Sequence, residues 1–217
     1  MKLYYVVGSP NCRKVHAVVN HLGLEVDFEY LDFFTGELRA DAFRAVNPNA
    51  MVPALVDGGF RLWESNAIIQ YLADKAGADS LFPREAKARA EVQRWLAWEL
   101  AHYNKAYGIL SFEAVAKPNF MNMAPNAALV EWAKGELKTF ATVLDAHMAG
   151  REHVAGDNLT IADYAVIHLE FFKEAVPFDW SPFPHLNAYY DRMRKVEHWA
   201  KTAPARPDLV GRKPKAA

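Results

Sequence analysis

The sequence predicts an α+β chain in two parts, a βαβ-αββα N-terminal domain and an all-α C-terminal domain. Three observations carry this reading. Roughly the first 80 residues alternate between strand and helix patterns. A turn-rich stretch with Asp79, Ser80 and Pro83 then marks a linker. Beyond it, helical periodicity replaces almost every strand signal. A length of 217 residues and a hydrophobic content of 52% suit one large domain or two ordinary ones with a proper core.

The first strand is expected at Leu3-Tyr4-Tyr5-Val6-Val7, a short apolar run. A helix is expected over residues 10–22, with Ser9 as N-cap, Pro10 in the first turn and Gly23 as the stop. Val26-Asp27-Phe28-Glu29-Tyr30-Leu31 alternates as a half-buried strand does. Residues 40–46 suit a short helix ended by Asn47-Pro48. Asp57-Gly58-Gly59 between Ala54-Leu55-Val56 and Phe60-Arg61-Leu62 is a hairpin signal. Ser65 reads as the cap of a helix through Ile68, Ile69 and Leu72, closed by Gly77. In the second part, Leu96, Leu100, Tyr103, Tyr107 and Leu110 fall on one stripe of a long helix. A further helix is expected over residues 127–148, and Thr160-Ile161-Ala162-Asp163 reads as a capping box with Asp in place of Glu. The expected domains are 1–79 and 85–205, with a basic, solvated tail over 206–217.

Composition excludes several function classes. A net charge of -1 gives no broad electrostatic case for nucleic acid or an anionic membrane. A single cysteine rules out an intrachain disulfide framework and a dithiol mechanism. Only five apolar residues precede Gly8, too few for a secretory signal, and no later run reaches membrane-spanning length, so a cytoplasmic protein is expected. None of the eight histidines pairs at ligand spacing with carboxylates or Cys12, so no metal is expected.

Ser9-Pro10-Asn11-Cys12 stands where the first strand meets the first helix. Its spacing is that of Cys-x-x-Cys with Ser first. A hydroxyl is a poor nucleophile at neutral pH, but it can donate a hydrogen bond to another molecule's thiolate. The motif therefore points to a protein that binds a thiol rather than supplying one.

Four local features in fixed order resemble the cytosolic glutathione transferase family: Ser9-Pro10-Asn11-Cys12-Arg13, Asn47 to Leu55 with Val52-Pro53, Glu64-Ser65-Asn66-Ala67-Ile68, and Leu159-Thr160-Ile161-Ala162-Asp163. The chain looks like a serine-type, bacterial theta/nu-like member. The resemblance covers residues 1 to about 199 and implies a thioredoxin-like, glutathione-binding N-terminal domain, a helical C-terminal domain, and usually a homodimer. It implies a cis bond at Val52-Pro53, with the Val52 backbone pairing the cysteinyl part of glutathione like an added strand. Ser65 and its helix start would hold the γ-glutamyl carboxylate, and Glu64 the ammonium group. Ser9 would stabilise the thiolate, with Asn11 and Cys12 as alternatives.

Relatives often carry His or Lys where this chain has Leu38 and Met51, so the glycyl carboxylate is left to Arg39, Arg13, Asn49 or a group from a partner subunit, or else glutathione binds more weakly or the ligand is a modified one. The second substrate would lie against Phe34, His102, Tyr103, Tyr107 and Phe112, with Trp95, Trp98, Glu99 and Trp180 near by; His102 reads as an interdomain histidine rather than a base. Three functions are implied: conjugation of glutathione to an apolar electrophile, glutathione-dependent disulfide reduction, or a non-catalytic binding or assembly module on the same fold.

Overall fold

The computed structural model describes residues 1–203 and 210–211. It divides into two compact units, one of Met1–Phe82 with the stretch from Lys195 onward, the other Pro83–Arg194. The expected helical domain over 85–205 therefore gives up its last residues, which pack with the N-terminal unit instead. Of the tail expected to be solvated, only Val210 and Gly211 lie within the described residues, and both are packed.

The first unit runs β1 (Lys2–Tyr5), α1 (Pro10–Leu22), β2 (Asp27–Tyr30), a 3-10 turn (Glu37–Arg39), α2 (Asp41–Arg44), β3 (Ala54–Asp57), β4 (Phe60–Trp63) and α3 (Ser65–Lys75). The sheet order is β2-β1-β3-β4. β1 pairs parallel to β2 and antiparallel to β3, and β3 pairs antiparallel to β4 across Gly58-Gly59. β1 stops before the end of its apolar run, because Val6 and Val7 lead into the turn that ends at Ser9.

Alternation along β1 separates two cores. Leu3 and Tyr5 join Leu55, Val15, Val18, Ile68, Ile69 and Leu72, all buried. Full burial of each aliphatic side chain stabilises by about 1.5–3 kcal/mol. Tyr4 points the other way, onto Phe43 of α2, whose cluster includes Val6, Leu31, Ala54, Leu38 and Val52.

The second unit is helical: α4 (Ala86–Trp98), α5 (Asn104–Ser111), α6 (Lys117–Phe120), α7 (Ala127–Met148), α8 (Ile161–Ile167) and α9 (Pro184–Met193). The long helix expected from the stripe at 96–110 is interrupted by a π-helical turn at Glu99–Tyr103, with a second at Phe112–Ala116. A π turn adds a residue and so rotates the helix beyond it. Leu100 accordingly leaves the stripe and is 49% exposed, while Leu96, Tyr103, Tyr107 and Leu110 stay buried.

The capping box at α8 forms. Thr160 Oγ1 accepts from Ala162 N–H (3.2 Å), and Asp163 Oδ2 accepts from Thr160 N–H (2.9 Å). After Arg194 the chain rejoins the first unit through α10 (Glu197–Ala200). No helix among the described residues is long and apolar enough to cross a membrane.

Candidate active site

The site grows from three turns at one end of the sheet. After β1 the backbone reverses, with Ser9 N–H donating to Val6 C=O (3.1 Å) and Gly8 at φ +79°. Ser9 caps α1: its Oγ accepts from Cys12 N–H (3.3 Å). That bond uses the hydroxyl oxygen only. Its hydrogen faces the Cys12 sulfur, a weak acceptor. The first turn of α1 holds no acidic residue, so its positive end is uncompensated by an acid there.

The second turn carries Val52. The Val52–Pro53 bond is cis. Asn47 braces the loop, its Nδ2 donating to Met51 C=O (2.7 Å) while its Oδ1 accepts from Asn49 N–H and Nδ2 (both 3.0 Å). Neither Val52 N–H nor its C=O has a partner among the described residues, which leaves an open strand edge.

The third turn is the start of α3. Glu64 is its N-cap, at φ 71°, a left-handed conformation that costs a non-glycine residue about 1–3 kcal/mol and gathers at functional sites. The expectation that Ser65 is the cap is corrected. Ser65 is the first helical residue, and its Oγ donates to Asn11 Oδ1 (3.1 Å). The Glu64 side chain is exposed and takes no partner among the described residues.

One turn further along α1 and one residue further along α3, Lys14 Nζ donates to Asn66 Oδ1 (2.9 Å). These two ties, Asn11 to Ser65 and Lys14 to Asn66, fix the ends of α1 and α3 against each other. Sequence reasoning missed the second. Lys14 is fully buried, and the available signal was its spacing of three from Asn11, which puts both on one helix face.

Cys12 is also fully buried. Burial pushes its thiol up to about 12, even though hydrogen bonds to Ser9 and the Val6 backbone act in the opposite direction. It is not a thiolate at neutral pH, which removes it as a nucleophile.

Family models described as the glutathione S-transferase N-terminal and C-terminal domains match residues 3–80 and 109–197. The chain belongs to the glutathione S-transferase family. It is 34% identical over 212 residues to glutathione S-transferase 3 of Zea mays, covering 95% of each chain. Among solved structures it resembles a theta-class glutathione S-transferase of Xanthomonas axonopodis pv. citri with glutathione bound (TM-score 0.85, 26% identity, 94% of this chain and 97% of that one). It also resembles a delta-class glutathione transferase of Nilaparvata lugens (TM-score 0.81, 31% identity, 93% and 92%). The chain is thus a glutathione transferase enzyme, with a thioredoxin-like N-terminal domain and a helical C-terminal one.

Within this transferase, the positions expected to meet the glycyl carboxylate are apolar. Leu38 packs on the Phe43 cluster, and Met51 is 66% exposed. Arg13 is corrected as a substitute: it is buried, with Nε donating to Thr202 Oγ1 (3.3 Å) and its guanidinium 4.2 Å from the Trp199 ring centroid. Asn49 is tied inward to Asn47. Arg39 is exposed, and its guanidinium takes no partner among the described residues.

The second-substrate residues divide. Phe34 is exposed in the first unit, edge-on to Phe33. Tyr103 and Tyr107 are corrected. They are core residues of the helical unit, and the Tyr103 hydroxyl bonds that of Tyr190 (2.8 Å). An aromatic stripe that is buried builds a core and lines nothing. Phe112 is exposed on the second π turn. His102 stacks on Phe140 at 5.0 Å, both in the helical unit.

Proposed function

We propose that this transferase binds glutathione along the three turns and conjugates its sulfur to an apolar electrophile. The observation that carries the proposal is the Ser9 hydroxyl. It is partly exposed at the start of α1, its oxygen is engaged by Cys12 N–H, and its hydrogen, which otherwise meets only the weakly accepting Cys12 sulfur, can turn to a thiolate. Free thiols titrate near pH 8.5, so a drop of about two units requires about 2.7 kcal/mol of differential stabilisation. One hydrogen bond to an anion and one helix end supply about that much together. The thiol proton leaves to solvent, the thiolate forms a C–S bond with the electrophile, and a leaving group such as halide departs with its electron pair.

Chemistry assigns the other contacts. The open edge of Val52 suits the cysteinyl backbone. The amides opening α3 suit the γ-glutamyl carboxylate, and the Glu64 carboxylate suits the ammonium group. Arg39 is the cation we assign to the glycyl carboxylate. A second copy of this chain is the expected partner, supported by exposed Phe60 and Trp63 on the edge strand β4.

A second reading, reduction of glutathione-containing disulfides, is favoured by Asn11, which stands in the first turn of α1 after its cap Ser9 and is held by Ser65. Turnover of an aryl halide, measured beside turnover of a mixed disulfide of glutathione, separates the two. Faster conjugation supports the proposal, and dominant disulfide reduction overturns it. Calorimetric titration tests the shared premise: no heat at millimolar glutathione would leave a non-catalytic module.

A further inference from the structure

The parallel ladder between β1 and β2 ends in an unusual way. Its last direct bond beyond the paired strands runs from Leu31 N–H to Tyr5 C=O (2.8 Å). Continued by two residues on each side, the next bond would join Phe33 N–H to Val7 C=O. It does not form. Gly211 stands between them instead: Phe33 N–H donates to Gly211 C=O (2.7 Å), and Gly211 N–H donates to Val7 C=O (2.7 Å). A residue from the far end of the chain thus occupies a missing bond of the sheet, immediately before the turn that carries Ser9.

The fit admits glycine alone. Gly211 lies at φ +77°, and a Cβ there would come within 2.8 Å of the Phe34 ring. The preceding residue locks the same turn from another side. Val210 sits on Gly8, where a Cβ would meet a Val210 methyl at 2.7 Å. Both glycines permit the close approach: a Cβ on Gly8 would push Val210 away, and a Cβ on Gly211 would meet Phe34. Upstream, the return to the first unit is anchored by Trp199, buried beneath Arg13, and by His198, stacked on His21.

We propose that Gly211 and Val210 form a wedge that positions Ser9 for thiolate stabilisation and, by holding Phe34, shapes the surface beside it. Without the wedge, Phe33 N–H and Val7 C=O are free to close on each other, and the Val7-Gly8-Ser9 turn shifts with them. This rests on the role given to Ser9 above. The wedge bonds Phe33 and Val7 and makes no backbone bond to Val52, Glu64 or Ser65, so it acts on turnover and on the bound thiol more than on glutathione affinity.

The test uses the full chain carrying Gly211→Pro, which lacks the N–H and cannot adopt a positive φ. Hydrogen exchange at Phe33 reads the wedge itself. We expect its amide to exchange about tenfold faster or more in the variant. We further expect glutathione affinity by calorimetry to stay within about threefold, kcat with an aryl halide to fall about fivefold or more, and the ascending limb of the kcat–pH profile to move to higher pH. Should Gly211→Pro fail to fold, Val210→Ala, which keeps the backbone bonds and removes the methyls over Gly8, is read by kcat and the pH profile alone: shifts in the same directions support the proposal and unchanged values overturn it. Faster Phe33 exchange with kcat and pH profile unchanged overturns the proposal, as does fast exchange of Phe33 in the unaltered protein. An unchanged profile for Ser9→Ala instead overturns the reading on which it rests.

Discussion

Ser9, Asn11 and Cys12 share one turn of backbone and have three different fates. The hydroxyl of Ser9 caps α1, the amide oxygen of Asn11 is held by Ser65, and the thiol of Cys12 is sealed in the core. Cys12→Ala is therefore expected to leave kcat within about threefold of the unaltered enzyme, while Ser9→Ala lowers it about tenfold or more, equivalent to about 1.4 kcal/mol in the barrier. Steady-state kinetics on both variants checks this, and the reverse order would transfer the chemistry to the thiol. Arg39→Ala is expected to raise KM for glutathione several-fold with little change in kcat, because a carboxylate contact remote from sulfur binds ground and transition states alike. An unchanged KM would leave the glycyl end to another group.

At the scale of the element, the start of α8 is the strongest local signal in the sequence and the most completely formed. Asp163 is fully buried and accepts from Thr160 N–H and Val154 N–H (2.8 Å). Thr160→Ala is expected to cost about 1 kcal/mol, as cap losses do. Asp163→Ala is expected to cost more, about 2–3 kcal/mol, because it leaves buried amide donors unsatisfied. Denaturant unfolding of the two variants checks the order. His153 lies 3.8 Å from Asp163, whose carboxylate raises the histidine pKa above its ordinary value. Its contribution to stability is thus fully present below the unfolded value of about 6.5 and is lost as pH rises through the higher folded value. His153→Gln should lower Tm more at about pH 5.5 than at about pH 8.5, and equal losses at both would contradict the pairing.

Helices α1 and α7 were legible in the sequence to the residue, since caps and apolar spacing agree there. The position of Leu100 was not, because a π turn leaves no mark in a pattern read at 3.6 residues per turn. The cap at Glu64 was hidden for a related reason. Ser is the ordinary cap residue, and only the tertiary partner Asn11 draws its hydroxyl away.

Across the whole molecule, the chain order and the packing order differ. The first unit is completed by residues that come after the helical unit in sequence, and among the described residues the wedge at Val7 is the last contact of that return. No local pattern announces such a contact, so the tail read from composition alone looked solvated. Trp199 is the anchor of the return. Trp199→Ala is expected to destabilise by about 3–5 kcal/mol, as a buried Trp truncation does. Hydrogen exchange should quicken in α1 before α7, and faster exchange in α7 first would contradict the assignment of this stretch to the first unit. The central claim is that the enzyme lends a hydroxyl hydrogen to a sulfur it does not own. Ultraviolet titration of the thiolate of bound glutathione tests it most directly. The account predicts a thiol pKa about two units below the free value of about 8.5 in the unaltered enzyme, and a rise of about one unit or more in Ser9→Ala. A bound thiol that titrates at the same pH with and without the Ser9 hydroxyl would contradict it.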